Sequence, residues 1–249
     1  AGDMTLDFFA LPENLDKAKK QFAQAKGMIE AYEKYFGEYP FKKDGYKLIE
    51  APYSGMEHQS AVTYGNRFAN GYLERDWTGV GVSPKFDFII IHESAHEWFG
   101  NAITAKDAAD MWIHEGWATY LECLYVEHMF GHDDALKYVN GYKSKVRNRE
   151  PIITPYGINQ TPPQDMYFKG ALFLHTLRGV MNDDAKWWKL IHDMFQTFKY
   201  KNIMTEDMVA FFNQQTGYFF EMNPSGLMAD SLMSPQGQTN RDWDGIWNA

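Results

Sequence analysis

Cysteine is almost absent from this 249-residue chain, which contains only Cys123. An intrachain disulfide is therefore impossible, and a zinc ribbon or redox pair built from cysteines is excluded. Basic residues are also in the minority, since 24 lysines and arginines face 33 acidic residues and the net charge is −9. This negative excess argues against nucleic acids and anionic membrane surfaces as partners, because both are repelled at long range.

Long apolar runs are missing as well. No window approaches the roughly 18 apolar residues that a membrane-spanning helix needs, and the first ten residues lack the pattern of a signal peptide. What the sequence does contain is 45% hydrophobic residues, including 16% aromatic residues, which is enough for a substantial core. We therefore expect a soluble, folded protein without a membrane span, and the compartment, cytoplasmic or exported, stays open.

The hydrophobic pattern divides the chain into two parts. Short β-like runs lie at residues 6–11, 47–51 and 61–64, and residues 13–36 have the period of one helix. Helical periodicity then dominates residues 86–100, 111–130, 165–181, 183–200 and 205–216. We predict an α+β fold with a small mixed sheet packed on a mostly helical body. The sheet part covers about residues 1–86, the helical part about 87–222, and 223–249 form a peripheral tail.

The segment His92-Glu93-Ser94-Ala95-His96 carries the strongest chemical signal. Histidines four residues apart lie on one face of a helix, so both imidazoles can bind one zinc ion while the glutamate between them faces the metal's water. The preceding apolar run at 88–91 indicates that this helix is buried. Buried imidazoles beside a carboxylate are costly without a metal, so we expect one Zn²⁺ here.

A catalytic zinc site needs a third protein ligand and an open position for water. Glu115 lies on the next predicted helix and is positioned to supply that ligand if the two helices pack side by side. Glu122 follows nearly two turns later on the same face. It is our candidate for the acceptor that orients a zinc-bound histidine, and a solvent-facing glutamate is the alternative.

Together, His92, Glu93, His96 and Glu115 resemble the ligand-and-base pattern of the gluzincin metallopeptidases. The stretch Glu-Gly-x-Ala-Thr-Tyr-Leu-Glu that begins at Glu115 is similar to the M1 aminopeptidase family in particular. The resemblance covers roughly residues 12–216.

Two further motifs stand in the family's order. Ser54-Gly55-Met56-Glu57-His58 resembles the exopeptidase motif Gly-x-Met-Glu-Asn. Downstream, the segment Tyr-Phe-Lys-Gly that starts at Tyr167 resembles the family's Tyr-x-Lys-Gly.

The resemblance implies a thermolysin-like catalytic domain that removes N-terminal residues from peptides. Glu93 would act as the general base, and the hydroxyl of Tyr167 would stabilise the oxyanion. Glu57 would bind the charged α-amine of the substrate, while Gly55 and Met56 would pair with the peptide as an added strand.

His58 and His114 depart from the family, which usually has asparagine at both places. Each introduces a titratable ring, and we do not expect His114 to be a fourth zinc ligand, since adjacent helical residues point about 100° apart. The alternatives are a gluzincin endopeptidase, an epoxide hydrolase, and a zinc-binding domain without activity. Family members normally carry an all-β domain before the catalytic one, and we expect such a domain to pack on this chain in a longer protein.

Overall fold

The computed structural model describes residues 4–217. Its strands are β1 (Leu6–Phe9), β2 (Tyr46–Glu50), β3 (Gly55–Met56), β4 (Val62–Tyr64), β5 (Ile103–Ala105) and β6 (Lys201–Ile203). Its helices are α1 (Leu15–Gln21), α2 (Gln24–Phe36), α3 (Phe88–Ala95), α4 (Trp112–Phe130), α5 (His132–Gly141), α6 (Asp165–Met181), α7 (Asp184–Phe198) and α8 (Thr205–Thr216). Among these residues, no helix combines the length and apolar character that crossing a membrane requires.

The predicted mixed sheet on a mostly helical body is confirmed. The four-stranded sheet has the order β1-β2-β4-β3, in which β1, β2 and β4 are parallel and β3 pairs antiparallel with β4 at the edge. A second, two-stranded parallel sheet of β5 and β6 was not predicted, because it pairs two short segments that lie far apart in the chain. The predicted tail at 223–249 lies outside the described residues.

The prediction of one helix over residues 13–36 was wrong. A 3₁₀ turn at Pro12–Asn14 leads into α1, and the chain then bends before α2 begins at Gln24. Phe22 lies at this bend, fully buried, and its ring packs edge-on against Tyr64 at 4.9 Å between centroids. Burying this ring against the sheet overrides the continuous helical period.

Helix α3 owes its start to one buried aspartate. The carboxylate of Asp87 accepts hydrogen bonds from the backbone N–H groups of Ile89 and Ile90 at 3.1 and 3.3 Å. It also accepts from Gln21 on α1 and from the Tyr64 hydroxyl on β4, at 2.7 and 2.6 Å. Isoleucines are mediocre helix formers, so the cap and the burial of the run specify the helix. Asp87 thereby joins α3 to α1 and to the sheet.

Helices α4 and α6 cross in close contact at two glycines. A Cβ atom added to Gly170 would lie 2.9 Å from the Cα of Gly116, and one added to Gly116 would lie 3.1 Å from the Cα of Gly170. No larger residue fits at this crossing without moving a backbone. Glu115 precedes the first glycine and Tyr167 lies one turn before the second, so the crossing brings these two side chains to the same region.

Candidate metal centre

Helices α3 and α4 place three electron-pair donors around one point. Nε2 of His92 and Nε2 of His96 each lie 3.4 Å from Oε2 of Glu115. One ligand atom from each residue lies within 4.8 Å of the other two, and all three residues are buried. The spacing predicted from the sequence is therefore realised in three dimensions.

The outer nitrogen of each imidazole is already engaged. Nδ1 of His92 lies 2.7 Å from Oε1 of Glu122, and Nδ1 of His96 lies 2.9 Å from the backbone oxygen of Phe99. Both partners are acceptors, so each Nδ1 carries the proton and each Nε2 turns a lone pair toward Glu115. Oε2 of Glu115 is buried and has no hydrogen bond from the described residues. This donor set fits a tetrahedral cation such as Zn²⁺.

The electrostatics of the three groups point the same way. Burial would lower the pKa of His92 and of His96, yet the carboxylate of Glu115 holds both above their ordinary value. Burial would raise the pKa of Glu115, but the positive charge that His96 and His92 carry when protonated holds it well below its usual range. The site therefore attracts positive charge, whether protons or a metal cation.

Glu122 is held by two tyrosines as well as by His92. Its Oε2 accepts hydrogen bonds from the hydroxyls of Tyr138 and Tyr142, both at 2.6 Å. Only 1% of Glu122 is exposed, so the solvent-facing alternative does not apply. Neither tyrosine was predicted, because α5 was not predicted. Tyr138 and Tyr142 are four residues apart, and this helical spacing is the signal that could have revealed them.

Glu93 and Glu57 lie on the His96 side of the centre. Carboxylate oxygens of the two glutamates and a ring nitrogen of His96 all lie within 4.8 Å of one another. Burial raises the pKa of Glu93 above its ordinary value. A Cβ atom on Gly55 would lie 2.8 Å from Cγ of Glu93, so β3 can approach α3 this closely only with glycine there. Asn101 anchors the motif by donating to the backbone oxygen of Glu57 at 2.9 Å.

Tyr167 reaches the same centre from α6. Its ring centroid lies 6.1 Å from that of His92, and the side chain is half-buried. Burial raises the pKa of Tyr167 well above its ordinary value, and the nearby charge of Glu115 raises it further. The hydroxyl therefore keeps its proton at neutral pH and remains a hydrogen-bond donor.

The remaining predicted residues lie at the margin. Met56 and His58 are exposed at the edge strand and in the turn after it. Nε2 of His114 accepts a hydrogen bond from the backbone N–H of Ala105 at 2.7 Å, and burial lowers its pKa to about 4. His114 is thus neutral, and its acceptor nitrogen is used by the backbone.

Comparison with known proteins agrees with this geometry. The family model described as the peptidase family M1 domain matches residues 20–233. Endoplasmic reticulum aminopeptidase 1 of Mus musculus is 28% identical over 212 residues, which are 80% of this chain and 22% of that protein. The leucyl aminopeptidase of Saccharolobus solfataricus is 24% identical over 245 residues, which are 93% of this chain and 30% of that protein.

Solved structures share the fold at low identity. An M1 zinc metallopeptidase from Deinococcus radiodurans, in a mutant form bound to a Tyr-Ser-Ala substrate, superposes with a TM-score of 0.63 at 23% identity. That match covers 87% of this chain and 46% of the other. Leukotriene A4 hydrolase from Saccharomyces cerevisiae superposes with a TM-score of 0.67 at 21% identity. That match covers 86% of this chain and 35% of the hydrolase chain.

The chain thus spans less than half of each of these relatives. The family match nevertheless extends over most of its length and includes every element that carries the metal centre. The chain belongs to peptidase family M1.

Proposed function

We propose that this chain is the catalytic domain of a zinc aminopeptidase, which hydrolyses N-terminal residues from peptides. One observation carries the proposal: three buried donor atoms, from His92, His96 and Glu115, converge beside the carboxylates of Glu93 and Glu57. Relatives named aminopeptidases and M1 zinc metallopeptidases support it.

His92, His96 and Glu115 would hold one zinc ion, with Glu122 fixing the ring of His92. When bound, zinc supplies a Lewis acid that polarises a carbonyl group and activates water. The residues around it then have separate tasks.

Glu93 takes the proton of the attacking water and delivers it to the departing amine. Its raised pKa lies closer to neutral pH than that of an exposed glutamate, which suits a group that must both accept and release a proton. Tyr167 keeps its hydroxyl proton and donates a hydrogen bond to the carbonyl oxygen as negative charge develops there.

Glu57 sets the point at which the peptide begins. A carboxylate beside the scissile carbonyl binds the charged α-amine of a free N-terminus, and no residue can precede that amine. The exposed edge of β3 is available to pair with the substrate backbone. This placement favours exopeptidase action over internal cleavage, and no contact of the described residues speaks for an epoxide substrate.

Two proposals concern the larger protein. The α+β architecture supports a thermolysin-like domain over residues 1–222. Because the solved relatives are more than twice as long as the part matched here, we propose that an N-terminal β domain packs on this one in the full-length protein.

The test compares wild type, Glu93→Gln and Glu57→Gln on aminoacyl amides and on the same substrates with an acetylated N-terminus. We expect one zinc per chain in all three proteins and a rate at least about 100-fold lower for Glu93→Gln. Glu57→Gln should lose most of the preference for the free amine.

Each rival predicts another result. An endopeptidase would cleave acetylated and free peptides equally well. A non-enzymatic zinc domain would bind zinc, and Glu93→Gln would leave its background rate unchanged. Absence of zinc from the purified wild type would contradict the whole proposal.

A further inference from the structure

A large cavity opens next to His92 and Gly55, and Glu57 is not among the residues that line it. It has a volume of about 730 Å³, which is sufficient for one or two amino-acid residues. Trp77, Phe88 and Phe168 form an aromatic wall, and Lys145 and Arg147 line the cavity from the loop that precedes α6. We call this space the leaving-side cavity.

The positions of the two histidines show which part of a peptide would enter it. The Glu57 carboxylate groups with Glu93 and His96, whereas His92 and Glu93 line the cavity and neither Glu57 nor His96 does. With the α-amine at Glu57 and the scissile carbonyl at the metal centre, the chain beyond the scissile bond continues past His92. The residue released as the new N-terminus then lies in the leaving-side cavity.

The ammonium group of Lys145 packs against two aromatic rings of the cavity. Its Nζ lies 4.4 Å from the ring centroid of Trp77 and 5.7 Å from that of Phe168, and the side chain is half-buried. Aromatic faces attract an ammonium group but do not neutralise it. Within residues 4–217, no carboxylate forms an ion pair with Lys145.

Arg147 extends the positive charge along the same loop. Its backbone N–H donates to the carboxylate of Asp165 at 2.9 Å, and that of Asn148 donates to the same carboxylate at 2.6 Å. These backbone bonds fix the loop against the start of α6. The guanidinium of Arg147 takes no part in them. Neither Arg147 nor its neighbour Arg149 forms an ion pair in the part of the chain that the structure describes.

Neither of the two glutamates that line the cavity forms an ion pair with Lys145 or Arg147 within the described residues. Glu122 accepts from His92, Tyr138 and Tyr142, and Glu93 faces the metal centre. Lys145 and Arg147 thus supply the positive charge of the cavity lining. This local charge is opposite to the net charge of the chain, −9, which by itself repels acidic peptides.

We propose that Lys145 and Arg147 select peptides that carry a carboxylate on the leaving side. The carboxylate is either the side chain of an acidic second residue or the C-terminal carboxylate of a dipeptide, because both place the same group in the cavity. This inference rests on the proposed aminopeptidase function and adds a substrate class to it.

The experiment measures kcat/KM on four substrates that share an N-terminal alanine. Ala-Glu amide, Ala-Gln amide and Ala-Lys amide vary the second side chain, and the dipeptide Ala-Gln with a free C-terminus adds the terminal carboxylate. We expect wild type to prefer Ala-Glu amide over Ala-Gln amide by about five- to tenfold, as for other charge pairs of partial exposure. If the terminal carboxylate also reaches Lys145 and Arg147, wild type should prefer the dipeptide Ala-Gln over Ala-Gln amide by a similar factor.

Variants assign the preference to the two side chains. Lys145→Met combined with Arg147→Gln should bring the ratio of Glu to Gln close to one, and Lys145→Glu with Arg147→Glu should favour Ala-Lys amide. Arg149→Gln is the matched control, because Arg149 is exposed on the same loop and does not line the cavity. It should keep the wild-type ratio.

The two levels of the proposal fail differently. Equal rates on Ala-Glu and Ala-Gln amides, or a ratio unchanged by the double variant, would overturn the inference and leave the aminopeptidase function intact. Absence of hydrolysis on all four peptides would overturn the function instead. In that case, calorimetry measures the affinity of the zinc-loaded protein for Ala-Glu amide and for Ala-Gln amide. Equal affinities would reject the charge preference. Tighter binding of Ala-Glu amide by wild type, but not by the double variant, would support it.

Discussion

The Nδ1 atom of His92 lies 2.7 Å from Oε1 of Glu122, and both groups are buried between α3 and α4. A histidine in this arrangement has one tautomer and one ring orientation, because its outer nitrogen must carry the proton. The tyrosines at 138 and 142 hold the other carboxylate oxygen at 2.6 Å. The ring of His92, a proposed metal ligand, is therefore oriented through Glu122 by α5 and the turn after it.

Removing the charge of Glu122 should weaken metal binding without removing a ligand. We expect Glu122→Gln to lower zinc affinity by about 10- to 100-fold, the usual cost of losing a group that orients a metal-bound histidine. Competition with a fluorescent chelator measures the affinity.

Tyr142→Phe is the matched control for this variant. It removes one of two donors to Glu122 and leaves the bond to His92 in place, so its effect should be several-fold smaller. Unchanged zinc affinity in Glu122→Gln would show that the negative charge of Glu122 does not contribute, because the amide oxygen of glutamine can still accept the bond from His92.

The proposed role of Tyr167 predicts a loss in kcat. Tyr167→Phe removes a single donor from the carbonyl oxygen, which should lower kcat by about 10²- to 10³-fold and change KM little. Zinc content should stay at the wild-type level, because the side chain is not among the three ligands. A loss of zinc, or a change confined to KM, would contradict this role.

The pair of candidate histidine ligands could be predicted because it depends on a local rule. Two histidines four residues apart face one side of a helix wherever that helix lies, and His92 and His96 do so here. Asp165 and Thr205 begin their helices where the periodicity predicted, since both segments are long and regular. For these features, the residues that determine the local structure are close together in the sequence.

Other features depend on contacts between distant segments. The bend at Phe22 arises from packing against Tyr64 on a strand far along the chain. The crossing of Gly116 and Gly170 requires two helices to meet at one point, and the approach of Lys145 to Trp77 joins two loops. No single window contains both partners of such a contact, so periodicity could not reveal them.

The close contact of α4 and α6 gives a prediction with a control on the same helix. Gly170→Ala places a methyl group 2.9 Å from the Cα of Gly116, which should force the helices apart and cost about 1–3 kcal/mol of unfolding free energy. Activity should fall further, because Tyr167 lies one turn away. Thermal unfolding and kcat on an aminoacyl amide measure the two effects.

Gly179→Ala is the control. It adds the same methyl group to α6, but apart from its chain neighbours and the backbone of its own helix no atom of the described residues lies within 4 Å of the added carbon. Alanine is the better helix former, so this variant should gain up to about 1 kcal/mol and keep its activity. Equal behaviour of the two variants would mean that the crossing tolerates a side chain.

Arg178 should make part of the unfolding free energy depend on pH. This buried side chain on α6 donates to Glu127 on α4 at 2.9 Å and to Asp184 on α7 at 2.7 Å, so it links three helices. Burial would raise the pKa of Glu127, but Arg178 holds it below its ordinary 4.5, and Arg178 likewise holds the pKa of Asp184 below 3.8. Arg178→Met removes the guanidinium that Glu127 and Asp184 share, which should cost roughly 3 kcal/mol at pH 7.

The sign of the pH effect follows from these lowered pKa values. The folded protein binds fewer protons than the unfolded chain between the two pKa values of each acid, so the stabilisation is complete above about pH 5 and is lost as the pH falls. We expect the unfolding free energy of wild type, measured in urea, to fall more steeply from pH 5.5 to 3.5 than that of Glu127→Gln. The variant lacks one of the two titrating partners, whereas its remaining acids titrate as in wild type. Parallel curves for the two proteins would show that Glu127 binds its proton equally well in the folded and unfolded chains, and the ion pair between Glu127 and Arg178 would then not stabilise the fold.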